Sequence, residues 1–149
     1  MGQHDTSNAN GQREEPLAVY LIEDSPVIRD NLIATLEEMA PVAVVGTADN
    51  EGAATDWLQA PENHCGLVII DIFLKGGSGL GVLRSVTDQL HERKLVVLSN
   101  YATPEMRRRC MELGADEVFD KSDDIDALLA YCAQVAGAEP PSSRGPQPF

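Results

Sequence analysis

Short aliphatic runs alternate along the chain with longer stretches in which apolar residues recur at helical spacing. An uninterrupted aliphatic run predicts a strand that is buried on both faces, as in a parallel sheet covered by helices. Apolar residues that recur every three or four positions predict an amphipathic helix. On this basis we predict five strands, at residues 17–22, 42–46, 67–71, 94–98 and 117–120.

Five predicted helices follow these strands, and several have clear start or stop signals. Ser25-Pro26 and Thr103-Pro104 each place an N-cap residue before a proline at the first helical position. Pro41 ends the first helix, Gly114 closes the fourth, and Ser122-Asp123-Asp124 is predicted to cap the fifth. The residues predicted to face the core are Ile28, Leu32, Leu36 and Met39 in the first helix, Ala53, Ala54, Trp57 and Leu58 in the second, Leu80, Leu83, Val86 and Leu90 in the third, and Ile125, Leu128, Leu129 and Cys132 in the fifth.

This alternation of strands and helices, joined by short loops, predicts an α/β fold with a doubly wound, five-stranded parallel sheet. In such a sheet the helical crossovers bring the carboxyl ends of all strands to one edge. Ligands and reacting groups are usually placed at that edge.

Asp71 ends the most apolar of the predicted strands and precedes a glycine-rich stretch. A single Asp at such a place is most simply a helix cap or a polar strand terminator. However, Asp24, Ser99 and Lys121 each follow a different predicted strand. We therefore expect these four side chains, together with Glu23, to form one constellation at the carboxyl edge of the sheet.

The residue types in this constellation favour phosphoryl chemistry. Glu23, Asp24 and Asp71 would place three carboxylates in one crevice with Lys121 as the offsetting charge, which is unfavourable unless a cation joins them. Oxygen ligands of this kind suit Mg²⁺, and an Asp beside such a metal can act as a nucleophile and carry a phosphoryl group. The Lys121 ammonium and the Ser99 hydroxyl can then bind the phosphoryl oxygens.

Composition narrows the domain organisation and the location. The 149 residues suffice for one ordinary domain. We assign residues 16–137 to it, 1–15 to a disordered arm and 138–149 to a flexible tail. No apolar run approaches a membrane span, and the polar N-terminus lacks the apolar segment of a secretory signal, so we expect a cytoplasmic protein without a membrane partner. The net charge of −13 argues against binding of nucleic acid by this chain.

Several motifs, taken in order, resemble the receiver domain of two-component response regulators. They are Leu21-Ile22-Glu23-Asp24-Ser25-Pro26, Val68-Ile69-Ile70-Asp71-Ile72-Phe73-Leu74 with Ser78-Gly79-Leu80 behind it, Val96-Val97-Leu98-Ser99, and Gly114-Ala115-Asp116 leading to Lys121. Each motif alone is weak, whereas the ordered combination is highly specific. The resemblance covers roughly residues 17 to 136 and implies a flavodoxin-like (βα)5 receiver fold with strand order 2-1-3-4-5.

The resemblance also implies a role for each residue of the constellation. Asp71 would accept a phosphoryl group from a histidine of a sensor histidine kinase or a histidine phosphotransfer protein. Asp24, Asp71 and the backbone carbonyl of Phe73 would ligate Mg²⁺, and Glu23 would act through water. Catalytic or switch roles would fall to Ser99, as the hydroxyl that moves to the phosphoryl group, and to Lys121, as its ion-pair partner.

Some positions depart from the pattern of the family. Ser122 follows Lys121 where many receivers have a proline, so the cis peptide common in that loop cannot be assumed. Val118 stands where an aromatic switch residue often lies. Asn100 replaces the small residue usual after Ser99 and could narrow access to the phosphoryl group.

Two further departures concern the loops around the phosphoacceptor. Tyr101 either takes over the role of the aromatic switch or simply caps its loop, and we leave both readings open. Lys75 replaces a frequent proline and suggests a more mobile loop, and Gly76-Gly77-Ser78-Gly79 is predicted to be a flexible connector because it lacks P-loop spacing. Phe73 and Tyr101 would add aromatic bulk that slows hydrolysis of the phosphorylated form.

We therefore expect a stand-alone receiver that catalyses only its own phosphorylation and dephosphorylation and is otherwise not an enzyme. Its output would be a contact with a protein target at the face of helix four, strand five and helix five. The sequence leaves open a homodimer and a relay role, and Arg107-Arg108-Arg109 is read either as a docking patch or as a solvated face.

Three alternatives remain from the residues alone. The first is a pseudo-receiver that binds a partner without phosphorylation. The second is the receiver part of a longer transcriptional regulator. The third is a metal-dependent phosphohydrolase with Asp71 as its nucleophile. This third class often has an acid two residues after the nucleophile, where this chain has Phe73.

Overall fold

Parallel strands form the centre of the computed structural model, which describes residues 16–74, 76–86, 93–100 and 102–137. Within these residues, one five-stranded sheet has the order β2-β1-β3-β4-β5, and every pair is parallel. The strands are β1 (Leu17–Ile22), β2 (Val42–Ala48), β3 (Leu67–Asp71), β4 (Lys94–Ser99) and β5 (Glu117–Asp120). The predicted fold class and strand order are confirmed. β2 and β4 extend beyond the predicted residues 42–46 and 94–98.

A helix follows each strand in the described part of the chain. The helices are α1 (Pro26–Met39), α2 (Glu51–Gln59), α3 (Gly79–Val86), α4 (Pro104–Glu112) and α5 (Ile125–Val135). The side-chain oxygens of Ser25 and Thr103 accept hydrogen bonds from backbone N–H groups in the first turns of α1 and α4, as predicted. Gly114 follows α4 with φ of 111°, a conformation that favours glycine.

The cap of α5 differs from the prediction. Asp124 lies at the N-cap position but makes no capping hydrogen bond with its side chain. Its Oδ2 instead accepts from the backbone N–H of Asp120 at 2.9 Å and from Nη2 of Arg107 at 3.2 Å. The Asp124 carboxylate therefore binds the Arg107 guanidinium and the end of β5 instead of the N–H groups of α5.

The core lies in two layers, one on each face of the sheet. Helices α2, α3 and α4 cover one face, where Ala54, Leu83 and Cys110 are buried. Helices α1 and α5 cover the other face, where Leu36 and Leu128 are buried. Because β3 contributes side chains to both layers, all of its residues are buried, which confirms the interpretation of its aliphatic run.

Some predicted core positions are wrong. Met39 is 64% exposed because it is the last residue of α1, and Ala53 is exposed because Ala54 and Leu58 form the inward stripe of α2. Trp57 is partly buried and stacks on Tyr20 with ring centroids 4.0 Å apart. Leu90 lies outside the described residues.

The described helices are also informative about membranes. None of them combines the length and the apolar composition that a membrane crossing would need.

We predict that Gly79→Ala lowers the free energy of unfolding by about 3 kcal/mol. A Cβ atom at Gly79 would meet the carbonyl oxygen of Asp71 and would lie 2.8 Å from the Cα of Ile72, and backbone atoms cannot move aside cheaply. Gly52→Ala is the matched control. It is also in the first turn of a helix, and its Cβ would have only an ordinary contact of 3.5 Å with Asn50.

Urea unfolding of both variants checks this expectation. Gly52→Ala should raise the stability by about 0.5 to 1 kcal/mol, since alanine is a better helix former than glycine. Equal stabilities of the two variants would contradict the packing argument.

Candidate functional site

Three carboxylates meet at the carboxyl edge of the sheet. Glu23 and Asp24 directly follow β1, and Asp71 is the last residue of the neighbouring strand β3. One oxygen from each residue lies within 4.8 Å of the others. Glu23 and Asp71 are buried, with exposed fractions of 2% and 5%, and Asp24 is partly buried. The structure thus brings together the carboxylates that the sequence predicted.

Lys121, which follows β5, contacts two of these carboxylates. Its Nζ lies 2.8 Å from Oε1 of Glu23 and 3.4 Å from Oδ2 of Asp71. The backbone N–H of Lys121 donates to the carbonyl of Ser99 at 2.8 Å. The position of the ammonium is therefore fixed from both its main chain and its side chain.

Both oxygens of Glu23 are engaged by the protein. Oε1 accepts from Lys121, and Oε2 accepts from the backbone N–H of Ser25 at 3.1 Å. The N–H of Glu23 donates to the carbonyl of Ala48 at 2.9 Å, which ties this residue to the end of β2. The role of Glu23 toward a metal, through water, stays a prediction.

Asp71 has an unusual acidity. Burial raises its pKa from 3.8 to about 6, and the Glu23 carboxylate adds to this rise. Lys121 and the backbone N–H of Phe73, which donates to Oδ1 of Asp71 at 3.3 Å, oppose the rise. Burial and like charge dominate, so the negative charge of Asp71 is poorly compensated by the protein alone.

Ser99 lies close to Asp71 in the sheet. It is the last residue of β4 and is fully buried. The Cα partner of Asp71 in β4 is Leu98, so Ser99 is one residue beyond that partner toward the carboxyl edge. This is the edge at which the sequence predicted a hydroxyl.

Phe73 also lies near the phosphoacceptor candidate. Phe73 is 57% exposed, and an isolated antiparallel bridge joins it to Ser78. The aromatic bulk predicted at position 73 is therefore placed beside Asp71 and toward solvent. Tyr101 and Lys75, to which the sequence also assigned loop roles, lie outside the described residues.

The departures around β5 are accommodated by hydrogen bonds. The peptide between Lys121 and Ser122 is trans. Oδ1 of Asp120 accepts from both the backbone N–H and the hydroxyl of Ser122 at 2.8 Å, and these bonds hold the pKa of Asp120 below its usual range. The turn that carries Lys121 is thus fixed without a proline.

Arg107 is a residue whose role the sequence missed. Its Nη1 donates to the carbonyl of Val118 at 2.8 Å, its Nε donates to the carbonyl of Ala102 at 3.0 Å, and its Nη2 contacts Asp124. Arg107 therefore joins α4 to β5 and to the start of α5, while part of its side chain stays exposed. The docking reading of the arginine run remains a prediction for its other two members, Arg108 and Arg109, which are exposed.

A second missed residue is Glu51, at the start of α2. Its carboxylate accepts a hydrogen bond from the backbone N–H of Ser78 at 3.0 Å. The stretch that the sequence described as a flexible connector is thus held from another helix. The signal in the sequence was the additional glycine, Gly81, since a side chain there would meet the Glu51 carboxylate.

An open cleft adjoins the carboxylate cluster on the side of α1 and α5. Its volume is about 320 Å³, and Ile28, Leu32 and Ile125 line its apolar part. Lys121 and Asn100 also line it. Asn100 is exposed there, and the expectation that it narrows access to the phosphoryl group stays a prediction.

The donor set of the cluster fits a small divalent cation. Among the described residues, one ammonium, that of Lys121, contacts this group of three carboxylates, which leaves two negative charges to be neutralised. Oxygen donors are the ligands that Mg²⁺ prefers, and Mg²⁺ typically binds through one or two carboxylates while keeping several waters. Asp24, Asp71 and the carbonyl of Phe73 are the groups that would hold it.

Comparisons with known proteins agree with the observed fold. The family model of the response regulator receiver domain matches residues 19–133. A probable transcriptional regulatory protein of Picosynechococcus sp. is 34% identical over 119 residues, which are 76% of this chain and 47% of that protein. The chain spans only 30% to 64% of the length of the curated relatives it matches.

Solved structures with this fold include two informative neighbours. A LuxR-family two-component response regulator from Aurantimonas sp. has a TM-score of 0.72 at 22% identity, over 84% of this chain and 89% of that one. A response regulator from Burkholderia pseudomallei, with a phosphorylated aspartic acid, a calcium ion and citrate, has a TM-score of 0.67 at 24% identity. That match covers 80% of this chain and 68% of the other.

We predict that Asp71→Asn stabilises the metal-free protein at pH 7 by about 2 kcal/mol. The raised pKa means that the folded state holds the Asp71 proton more tightly than the unfolded chain does. Its contribution to stability is therefore fully present below pH 3.8 and is lost as the pH rises through about 6. The asparagine variant should lack this loss.

Urea unfolding in a chelating buffer, as a function of pH, measures the difference in free energy of unfolding between the wild type and Asp71→Asn. Added Mg²⁺ should narrow it by stabilising the wild type more than the variant. A variant that is less stable than the wild type at pH 7 without metal would refute this electrostatic account.

Proposed function

Because the chain belongs to the response regulator receiver domain family of two-component signalling, we propose that it is a phosphorylation switch in which Asp71 is the phosphoacceptor. The donor is a phosphohistidine of a sensor histidine kinase or of a histidine phosphotransfer protein. The observation that carries the proposal is the cluster in which the buried Asp71 lies beside the carboxylates of Glu23 and Asp24 and 3.4 Å from the Lys121 ammonium.

The side chains of the cluster divide the chemistry among them. An oxygen of Asp71 attacks the phosphorus atom, the bond from phosphorus to the imidazole nitrogen breaks, and that nitrogen keeps the electron pair. Lys121, already 3.4 Å from Oδ2 of Asp71, offsets the charge on the phosphoryl oxygens. Mg²⁺, when bound, would neutralise the excess charge, favour the ionised form of Asp71 and orient the phosphoryl oxygens. The Ser99 hydroxyl then binds the phosphorylated form.

A relative supports the choice of Asp71. The Burkholderia pseudomallei response regulator carries a phosphorylated aspartic acid together with a calcium ion. That protein has the same fold, and in the cluster of this chain Asp71 is the aspartate that ends a buried strand.

The proposed output is a change in protein contacts, without turnover of an independent substrate. The target surface is the face of α4, β5 and α5, and the exposed Arg108 and Arg109 of α4 are candidates for docking. As a stand-alone protein the chain would act by binding its target directly. As part of a longer regulator, like the transcriptional regulatory proteins among its relatives, it would act on an attached output domain or through a homodimer.

We predict that incubation with acetyl phosphate and Mg²⁺ adds one phosphoryl group to the wild type and none to Asp71→Asn. A chelator should abolish the gain. Lys121→Ala should slow the reaction about a hundredfold, since it removes the ammonium that offsets the developing charge. Intact mass measured over time checks all of these outcomes.

Two outcomes would point elsewhere. Binding of Mg²⁺ without phosphorylation would favour a pseudo-receiver that signals by contact alone. Steady turnover of a generic phosphomonoester would favour a phosphohydrolase, although Phe73 occupies the place where that class often has an acid.

We further predict that Phe73→Ala shortens the half-life of the phosphorylated form several-fold. Phe73 is exposed beside the site and would hinder the attacking water, so its removal opens the approach. Met39→Ala is the control, because it removes an equally exposed apolar side chain at the far end of α1. Loss of the phosphoryl group, followed by intact mass after removal of the donor, gives both rates.

A wild-type half-life of seconds would contradict a shielding role for Phe73. So would equal half-lives for the wild type and Phe73→Ala.

A further inference from the structure

The glycine-rich loop behind Asp71 is held by a residue from a different helix. Glu51, the first residue of α2, makes two hydrogen bonds to it. The backbone N–H of Glu51 donates to the carbonyl of Gly76 at 2.8 Å, and its Oε1 accepts from the N–H of Ser78 at 3.0 Å. The two bonds lie on either side of Gly77, so Glu51 fixes the loop at two points.

The missing side chains of two glycines make room for this carboxylate. A Cβ at Gly77 would lie 2.5 Å from both the Cβ and Oε1 of Glu51, and Gly77 also has a φ of 97°. A Cβ at Gly81, in the first turns of α3, would overlap Oε2 of Glu51. The Glu51 side chain therefore lies directly over the loop and over the start of α3.

The anchored segment is bonded in turn to the segment beside the metal site. Ser78 forms an antiparallel bridge with Phe73, and the N–H of Gly79 donates to the carbonyl of Ile72 at 2.9 Å. Phe73 itself donates to Asp71. A continuous path of backbone contacts thus joins the Glu51 carboxylate to the residue whose carbonyl would ligate the cation.

We propose that Glu51 is a positioning residue for the divalent cation site, because it holds the loop that presents the Phe73 carbonyl. This inference rests on the proposed function for the identity of the cation and for the Phe73 carbonyl as one of its ligands. Glycine-rich segments lose more conformational freedom on ordering than others, so an external anchor is needed to hold one geometry. A carboxylate that accepts from a backbone N–H at a helix start is a strong anchor of this kind.

Isothermal titration of the full chain with Mg²⁺ tests the proposal directly. Glu51→Ala should raise the dissociation constant about tenfold, the size expected when a residue that orients a ligand is lost. Glu51→Gln should stay close to the wild type, because its amide oxygen can still accept from Ser78. Glu105→Ala is the matched control, since it removes an exposed glutamate from the first turn of α4.

Gly81→Ala provides a second variant that keeps Glu51 and displaces only its carboxylate. Alanine is a better helix former than glycine, so the helix itself is not weakened. The variant should also weaken Mg²⁺ binding, and it should add nothing in a Glu51→Ala background. If the double variant binds Mg²⁺ no more weakly than Glu51→Ala, both substitutions act through the position of the Glu51 carboxylate. If the two effects add, they act independently.

The acetyl phosphate reaction gives a second readout. In Glu51→Ala the Mg²⁺ concentration for half-maximal rate should rise about tenfold, while the rate at saturating Mg²⁺ stays unchanged. Failure of the wild type to be phosphorylated would overturn the proposed function, yet the titrations would still test Glu51. The inference would be overturned if Glu51→Ala and Gly81→Ala both bound Mg²⁺ as tightly as the wild type, even if their melting temperatures fell.

Discussion

The ion pair between Lys121 and Glu23 is the interaction on which the carboxyl edge depends. It joins residues that are far apart in the sequence, and the exposed fractions of the two side chains are only 11% and 2%. A buried carboxylate without a partner costs several kcal/mol, so Glu23 and Asp71 can share this edge only because an ammonium lies between them. The Lys121 N–H is bonded to the Ser99 carbonyl, and thus one residue connects the ends of β1, β3, β4 and β5.

This edge could be predicted from the sequence because it depends on two simple rules. Aliphatic runs mark buried strands, and parallel crossovers bring their ends together, so Asp71 and Lys121 were found without knowledge of any contact. The contacts of Arg107 and Glu51 could not be found in this way. Periodicity shows that a helical residue is polar, but it does not show that the side chain turns inward to a particular backbone group. The same limit explains why Asp124 was expected to cap α5.

Arg107 links the segment after β4 to β5 and to the start of α5. Valine stands at position 118 of β5, where the resemblance to the family led us to expect an aromatic switch residue. The guanidinium of Arg107 instead bonds to the carbonyls of Ala102 and Val118 and to Asp124. A displacement of the segment after β4 relative to β5 must therefore stretch or exchange at least one charge-assisted hydrogen bond. In this chain, hydrogen bonds link these elements at the place where a ring often does so in the family.

Two features of this same edge are unfavourable for stability, and both are connected with cation binding. Buried like charges raise the pKa of Asp71 to about 6, and glycines dominate the segment between Gly76 and Gly81, where most side chains would add stability. A sequence selected only for stability would have neither feature. Under the proposed function each would become favourable on cation binding, because the charge would be neutralised and the ordered loop carbonyl would gain a partner. A cation that binds only the folded protein would therefore stabilise this edge, whereas Asp71→Asn would relieve the same repulsion and lose a ligand.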